Sequence, residues 1–210
     1  MKDRIRRAVV SQFMRPHGIA GRIAGWEMAL RASNRKRNVW AVGLLEVAPD
    51  DRVLEVGFGP GVAIGELARR ASRGLVVGVD HSDAMVALAT SRNRRAVRDG
   101  RVRLVRASAD DLPAFDVRFD KVLAVNNIGM WQEPARALSR LRDTMAPDGR
   151  IAIVSQPRCP GATADTTAAA GRRIREQLAE AGFVEITSHV LELQPPVVCV
   201  IGRTSIEPRE

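Results

Sequence analysis

The stretch VLEVGFGPG, residues 53–61, decides how the rest of the sequence is interpreted. Its mostly apolar first half runs into three glycines at alternate positions, Gly57, Gly59 and Gly61, and the helix-forming sequence VAIGELARR follows. This order predicts a buried strand, a tight turn and a helix. Glycines let the turn's backbone amides approach a ligand, and the free amides that open the next helix favour an anionic group. The same pattern would also result if the glycines only closed a strand–helix turn and bound no ligand.

A second acidic residue narrows the choice of ligand. Asp80 ends the strand-like run LVVGVD, and parallel sheets bind their ligands at the carboxyl ends of the strands. A carboxylate there can accept both hydroxyl protons of a ribose. The dinucleotide fingerprint Gly-x-Gly-x-x-Gly is not met, because Val62 stands at its third glycine. Glu55, inside the first strand, adds negative charge beneath the turn. These features favour a cationic, ribose-bearing ligand over a nicotinamide dinucleotide.

Strand-like and helix-like segments alternate from residue 50 onward, which predicts an α/β fold with a mostly parallel sheet and helices on both faces. Strands are predicted at 52–57, 75–80, 101–106, 119–125 and 149–155, and helices near 61–71, 82–95, 133–145 and 171–181. Two further strands, 183–191 and 197–202, flank a proline-containing turn. They predict an antiparallel hairpin at the C-terminal edge of a seven-stranded sheet.

The net charge of +9 is concentrated at the N-terminus. Residues 1–40 contain ten Lys or Arg and two Asp or Glu, and apolar residues from Ile19 to Leu30 recur there at helical spacing. Such a basic amphipathic helix packs on the domain, covers an anionic substrate, or docks on acidic lipid or nucleic acid. The connection after the fifth strand is short, so we assign residues 1–45 to a helical lid and 46–210 to the main domain.

Composition excludes several classes of protein. A chain of 210 residues with 45% hydrophobic residues suits one domain with a sizeable core. The two cysteines, Cys159 and Cys199, have no metal-binding or redox spacing, so we predict no metal site and a reducing, cytoplasmic setting. No apolar run approaches the length of a transmembrane helix, and the basic N-terminus lacks the apolar core of a signal peptide.

Five segments, taken in order, resemble the successive motifs of class I S-adenosylmethionine-dependent methyltransferases, especially the small-molecule branch that resembles ubiquinone and menaquinone biosynthesis methyltransferases. They are Glu55-x-Gly57-x-Gly59-x-Gly61, Asp80 followed by Ser82 and Met85, Ser108 to Pro113, the strand end Val125-Asn126-Asn127, and Met145 to Arg150. The resemblance covers roughly residues 50–155. It implies a Rossmann-like fold that uses S-adenosylmethionine and releases S-adenosylhomocysteine.

The resemblance also implies a set of cofactor-binding residues. They are Glu55, Gly57, Phe58, Gly59, Gly61, Asp80, His81, Met85, Ser108, Ala109, Asp110 and Asn126. By this resemblance, Glu55 and the Asn126 backbone lie near the methionine ammonium and Asp80 holds the ribose. His81 and Met85 flank the adenine.

Two departures from the family pattern affect these expectations. Relatives often carry an acid where this chain has Ser108, so Asp110 or the Ala109 backbone is expected to make more of the adenine contact. After the fourth strand the chain has Asn126-Asn127-Ile128-Gly129 in place of the Asn/Asp-Pro-Pro-aromatic signature of enzymes that methylate nucleic-acid bases. That difference disfavours a nucleic-acid substrate.

The sequence leaves the methyl acceptor open. Methyl transfer is an in-line displacement in which the protein mainly aligns nucleophile, methyl carbon and sulfur. His17 is the candidate general base if the reaction needs one. Trp26, Trp40, Asn127 and Trp131 are the substrate-side candidates, and an aromatic or lipid-like small molecule suits a cavity lined by indoles. Indoles at helical positions pack into a core equally well.

A second hypothesis assigns the chain to a different class, a protein that binds the cofactor or a nucleic acid without transferring a methyl group. Its working surface is the arginine-rich N-terminal arm. Only three lysines accompany thirty arginines in the chain, a bias that codon composition explains as well as recognition does. Peripheral contact with a membrane is a further role open to the same arm.

Overall fold

The computed structural model describes residues 32–206, and a seven-stranded sheet runs through them. The elements are α1 (Ala32–Leu45), β1 (Arg52–Val56), α2 (Val62–Arg70), β2 (Leu75–Asp80), α3 (Asp83–Arg92), α4 (Arg94–Arg98), β3 (Val102–Arg106), β4 (Phe119–Val125), a 3₁₀ helix (Ile128–Met130), α5 (Pro134–Asp143), β5 (Met145–Ser155), α6 (Ala164–Glu180), β6 (Val184–Leu191) and β7 (Val197–Arg203). The amphipathic helix predicted between Ile19 and Leu30, with His17 and Trp26, lies outside the described residues.

The strand order is β3-β2-β1-β4-β5-β7-β6, with parallel pairing from β3 to β5 and antiparallel pairing of β7 with both β5 and β6. The predicted fold, including the antiparallel edge hairpin, is confirmed. From β1 the chain adds β2 and β3 on one side and then returns to place β4 on the other. The strand order therefore reverses between β1 and β4, the place where open α/β sheets bind ligands.

Both faces of the sheet are covered, which explains why its central strands are apolar almost throughout. Alternate residues of β1 belong to different cores: Val53 packs with α1, α2 and α3, whereas Leu54 packs on the opposite face with α5 and α6. Glu55 interrupts this pattern, because it is a carboxylate on a strand whose neighbouring residues are buried and apolar.

Two helices differ from their predicted boundaries. The single helix expected over 82–95 is split at Asn93, whose side-chain amide donates to Gly61 O at 3.0 Å and to Ala89 O at 2.9 Å. Helix α6 begins seven residues before the predicted start, at a capping box formed by Thr163 and Thr166. The first turns of α6 are rich in alanine and threonine, and such a run carries little apolar periodicity.

Helix α1 is packed along one face of the sheet. Ala41, Val42 and Leu45 are fully buried there in the core that includes Val53. The first half of α1 lies at the carboxyl ends of the strands, where Arg37 contacts Gln156 after β5. The boundary between lid and domain at residue 45 stays a prediction. None of the helices within residues 32–206 has the length and apolar character needed to cross a membrane.

Candidate active site

The glycine turn after β1 has a backbone that suits glycine at each of its three positions. Gly57, Gly59 and Gly61 have φ values of 67°, 52° and 73°, in the left-handed region that side chains disfavour. A Cβ atom on Gly57 would also collide with the side-chain amide of Asn127. A Cβ on Gly59 would meet nothing within 4 Å, so the turn borders open space at that residue. A ligand can approach the backbone there.

Phe58 lies between these glycines and points the other way. Its ring is 3% exposed and belongs to the core cluster of α1, α2 and α3. Gly78 on β2 makes room for the ring, because a Cβ at Gly78 would lie 2.7 Å from Phe58 Cδ1. Only the backbone of Phe58 is therefore available to a ligand at the turn.

Asp80, at the end of β2, fixes the glycine turn from below. Its carboxylate accepts hydrogen bonds from the backbone N–H of Gly59 at 2.8 Å and of Ser82 at 3.0 Å. Burial raises the pKa of Asp80, although the N–H groups of Ser82 and Gly59 and the nearby His81 oppose the shift. Each carboxylate oxygen keeps a further lone pair that can accept a ligand hydroxyl. His81 stands at the rim, with Nδ1 3.8 Å from Asp80 Oδ1.

Glu55 is a charged residue in an apolar environment. It is 2% exposed, and its Oε2 atom has no hydrogen-bond partner within the part of the chain that the structure describes. Burial, together with the charge of Asp80, raises the pKa of Glu55 well above its ordinary value. A buried carboxylate without a partner lowers the stability of a folded protein unless a cation or donor compensates it. Glu55 and Asp80 thus form an acidic pair beneath the glycine turn.

Asn126 and Asn127 follow β4 and face this pair across the reversal of strand order. Asn126 has a left-handed φ of 58°, and its Oδ1 accepts a hydrogen bond from Gln156 N at 2.6 Å. The buried Asn127 side chain donates to Val56 O, while its Oδ1 has no partner among residues 32–206. Asn127, predicted on the substrate side, therefore also supports the start of the glycine turn.

The segment predicted to meet the adenine follows β3. Ser108 Oγ accepts a hydrogen bond from Asp111 N at 3.1 Å, which closes a small loop. The carboxylate of Asp110 accepts from Gln132 N at 3.1 and 3.3 Å, so it anchors the segment after the 3₁₀ helix. Ala109 and Met85 are buried in the cores on opposite faces of the sheet.

The two described tryptophans among the substrate-side candidates are both half-buried. Trp40, on α1, packs against the core of α1, α2 and α3. Trp131, after the 3₁₀ helix, packs against the core on the other face. These contacts agree with the alternative interpretation that both indoles serve to pack the core. Their role toward an acceptor stays a prediction.

Sequence reasoning missed one buried polar group at this edge of the sheet. Arg37 on α1 donates to Gln156 Oε1 at 2.7 Å, and Gln156 in turn donates to Asn126 and to Pro195 O at 2.8 Å. Arg37 and Gln156 are 119 positions apart in the chain. Nothing in the sequence distinguished Arg37 from the nine other basic residues of the first 40.

Comparisons with known proteins agree with this geometry. A family profile described as "Methyltransferase domain" matches residues 53–149, from β1 to the start of β5. The uncharacterized methyltransferase YdaC of Bacillus subtilis is 32% identical over 182 residues, a match that covers 86% of this chain and 97% of YdaC. The chain belongs to the class I S-adenosylmethionine-dependent methyltransferase family.

More distant relatives extend the comparison. The demethylmenaquinone methyltransferase of Clavibacter sepedonicus is 36% identical over 118 residues, covering 55% of this chain but only 46% of that protein. The crystal structure of a SAM-dependent methyltransferase from Aquifex aeolicus superposes with a TM-score of 0.67 at 19% identity, covering 82% of this chain and 93% of that one. At that identity the superposition shows a shared fold.

S-adenosylmethionine is the cofactor of this family, and the residues of the site fit it. The Oε2 atom of Glu55, which has no hydrogen-bond partner among the described residues, suits a positively charged group, and Asp80 has lone pairs left for hydroxyl groups. The open space beside Gly59 lets a ligand pass close to the backbone.

Proposed function

We propose that the protein transfers a methyl group from S-adenosylmethionine to a small-molecule acceptor, with an aromatic or lipid-like compound as the expected class. The observation that carries this proposal is the buried Glu55 carboxylate beside an open glycine turn, because its Oε2 has no hydrogen-bond partner among residues 32–206. A cationic amino-acid group supplies the missing partner. The demethylmenaquinone methyltransferase among the relatives supports a small acceptor.

In this proposal each residue of the chain binds or orients one part of the cofactor. Glu55 pairs with the ammonium group, Asp80 accepts the ribose hydroxyls, and the backbone of Gly57, Gly59 and Gly61 lies along the methionine part. When bound, the cofactor supplies a methyl group that is already activated on a sulfonium sulfur. The protein then has to align the acceptor's nucleophilic atom with that methyl, and positioning of this kind contributes roughly 7 to 11 kcal/mol in the best intramolecular reactions.

We also propose that the segment 1–45 covers the acceptor. The connection between β5 and α6 spans only residues 156–163, which leaves little chain for a substrate-binding insertion. Helix α1, by contrast, already reaches the carboxyl end of β5 through Arg37. His17 as a general base and Trp26 as a wall of the cavity stay predictions, as does a cytoplasmic location.

Calorimetric titration tests the cofactor site. The wild-type protein should bind S-adenosylmethionine and S-adenosylhomocysteine with one site per chain. Asp80→Ala should weaken both by more than about 1 kcal/mol, roughly fivefold in Kd, because charge-assisted hydrogen bonds to the ribose are lost. Asp143→Ala serves as the matched control, since Asp143 is an exposed carboxylate at the end of α5, where the chain enters β5.

Release of S-adenosylhomocysteine in the presence of a panel of quinols, phenols and small acids tests the transfer itself. We expect turnover with at least one member of the panel, and slower turnover with Asp80→Ala at a cofactor concentration near the wild-type Kd. Absence of cofactor binding by the wild type would contradict the proposed function. Tight binding without turnover on any small acceptor would instead favour a non-catalytic protein that works through its N-terminal arm.

A further inference from the structure

A buried arginine lies where α1 meets the carboxyl ends of β4 and β5. Arg37 is 4% exposed, its Nη1 donates to Gln156 Oε1 at 2.7 Å, and its Nη2 donates to Asn34 Oδ1. Gln156 is itself held in place, because its Nε2 donates to Pro195 O at 2.8 Å and its backbone N–H donates to Asn126 Oδ1 at 2.6 Å. The neutral side chains of Gln156 and Asn34 therefore hold the guanidinium, and Asn126 and Pro195 in turn hold Gln156.

The charge of Arg37 is not balanced by these contacts. No carboxylate among residues 32–206 forms an ion pair with it, and its Nε has no hydrogen-bond partner there. A second guanidinium approaches the same amide, with Arg158 Nη2 3.4 Å from Gln156 Oε1. Burial, and secondarily the charge of Arg158, lowers the pKa of Arg37 to about 10, so it stays protonated at neutral pH. A buried, uncompensated cation of this kind favours an anionic partner.

The strand order places this cation away from the residues predicted to bind the cofactor. Of the residues predicted to bind the cofactor's ammonium and ribose, Glu55 is next to the last residue of β1 and Asp80 is the last residue of β2. Arg37 is joined to Gln156, which follows β5, and β5 is two strands from β1 in the sheet. Neighbouring strands are about 4.8 Å apart, so β5, which leads into Gln156, lies about 10 Å from the strand of Glu55 and about 14 Å from the strand of Asp80. Asn126, which follows β4, lies between them.

We propose, on the basis of the methyl transfer proposed above, that Arg37 binds a carboxylate of the acceptor, which makes the acceptor a small organic acid. The planar guanidinium presents paired N–H groups that match a carboxylate, and one of them is the Nε donor, which has no partner within residues 32–206. The cofactor's own methionine carboxylate has the same chemistry. The position of Arg37 beyond β4 assigns it to the acceptor instead.

The binding test uses the full chain saturated with S-adenosylhomocysteine and sodium acetate as the probe. Thermal melting in acetate is compared with melting in chloride at equal ionic strength. The wild type should be stabilised by acetate, and Arg37→Gln should lose that effect, with an apparent Kd for acetate raised about tenfold or more. Arg35→Gln is the matched control, because Arg35 is an exposed arginine on the same helix.

A second variant keeps the arginine and supplies the counter-charge from the protein. Gln156→Glu puts a carboxylate next to Arg37 Nη1, so it should abolish the acetate effect although Arg37 is unchanged. An acetate effect of wild-type size in this variant would overturn the proposal. It would also be overturned if the wild type shows no preference for acetate over chloride.

A third comparison separates the two sources of carboxylate. S-adenosylhomocysteine and 5′-methylthioadenosine, which lacks the amino-acid group, are titrated into the wild type and Arg37→Gln. Both affinities should change by less than about twofold. Weaker binding of S-adenosylhomocysteine alone would show that Arg37 holds the cofactor's carboxylate and would overturn the inference. Failure of the wild type to bind S-adenosylhomocysteine would contradict the proposed function, and this inference with it.

Discussion

Replacement of Glu55 by glutamine should stabilise the free protein and weaken cofactor binding at the same time. The buried Glu55 carboxylate has an oxygen without a partner among residues 32–206, and its pKa is raised by burial and by Asp80. Ionising it in the free protein is therefore costly. In the complex that we propose, the same charge pairs with the ammonium of the cofactor. The two measurements should consequently move in opposite directions.

The size of each effect follows from the loss of a charged group. A hydrogen bond to a charged partner contributes about 1.5–3 kcal/mol, so Kd for S-adenosylhomocysteine should rise roughly 10- to 150-fold. Relief of the unpaired charge should raise the free energy of unfolding of the free protein by on the order of 1 kcal/mol. For a chain of this size that corresponds to an increase in Tm of about 2–4 °C.

The pH dependence of stability has a defined sign. A carboxyl group whose pKa is higher in the folded than in the unfolded protein contributes its full stabilisation below the unfolded pKa and loses it as the pH rises through the folded pKa. For Glu55 this loss begins above its ordinary value of 4.5. The pKa of Asp80 is also raised, so Glu55→Gln should flatten the decline rather than remove it.

Thermal melting between pH 5 and 8 and calorimetry with S-adenosylhomocysteine make up the assay. Glu180→Gln is the control, because Glu180 is an exposed carboxylate at the end of α6 and should change neither quantity. If Glu55→Gln lowers Tm at pH 8, or leaves the cofactor affinity unchanged, the assignment of an uncompensated anion to this position is wrong.

Two further predictions concern the glycine turn. Gly57→Ala should lower the free energy of unfolding, measured by chemical denaturation, by more than about 1–2 kcal/mol. Any side chain strains the left-handed backbone of Gly57, and the new methyl group collides with Asn127. A smaller loss would contradict the close packing of Asn127 beneath the turn. Asn93→Ala should lower it by about 0.5–1.5 kcal/mol and weaken S-adenosylhomocysteine binding in calorimetry, because its bond to Gly61 O holds the turn against α3. Unchanged cofactor affinity in Asn93→Ala would show that the turn needs no such support.

Much of the fold could be predicted from the sequence because the information is local. Apolar runs bounded by polar residues located the strands within a few residues, and the turn at Gly57 to Gly61 marked the ligand edge. The start of α6 was missed because its first turns are small residues whose helical state depends on the cap at Thr163. The break in the second helix was missed because it depends on Asn93 reaching back to Gly61.

The candidate site was predicted less completely, because its contacts join residues that are far apart in the sequence. Motif resemblance named Glu55 and Asp80, but only the structure shows that backbone amides anchor the Asp80 carboxylate, whereas Glu55 Oε2 has no hydrogen-bond partner among residues 32–206. Phe58 was grouped with the turn, and its inward ring depends on Gly78 of the next strand. Arg37 contacts a residue 119 positions away, and no local pattern encodes such a pair.

A crystal structure of the protein with S-adenosylhomocysteine tests the central claim most directly. We predict the ligand's ammonium nitrogen within about 3.2 Å of the Glu55 carboxylate, or joined to it by one water, and its ribose hydroxyls on Asp80. The methionine part should follow the turn from Gly57 to Gly61, and Arg37 should make no contact with the ligand's carboxylate. A ligand bound elsewhere on the sheet, or with its ammonium turned away from Glu55, would contradict the proposed cofactor site.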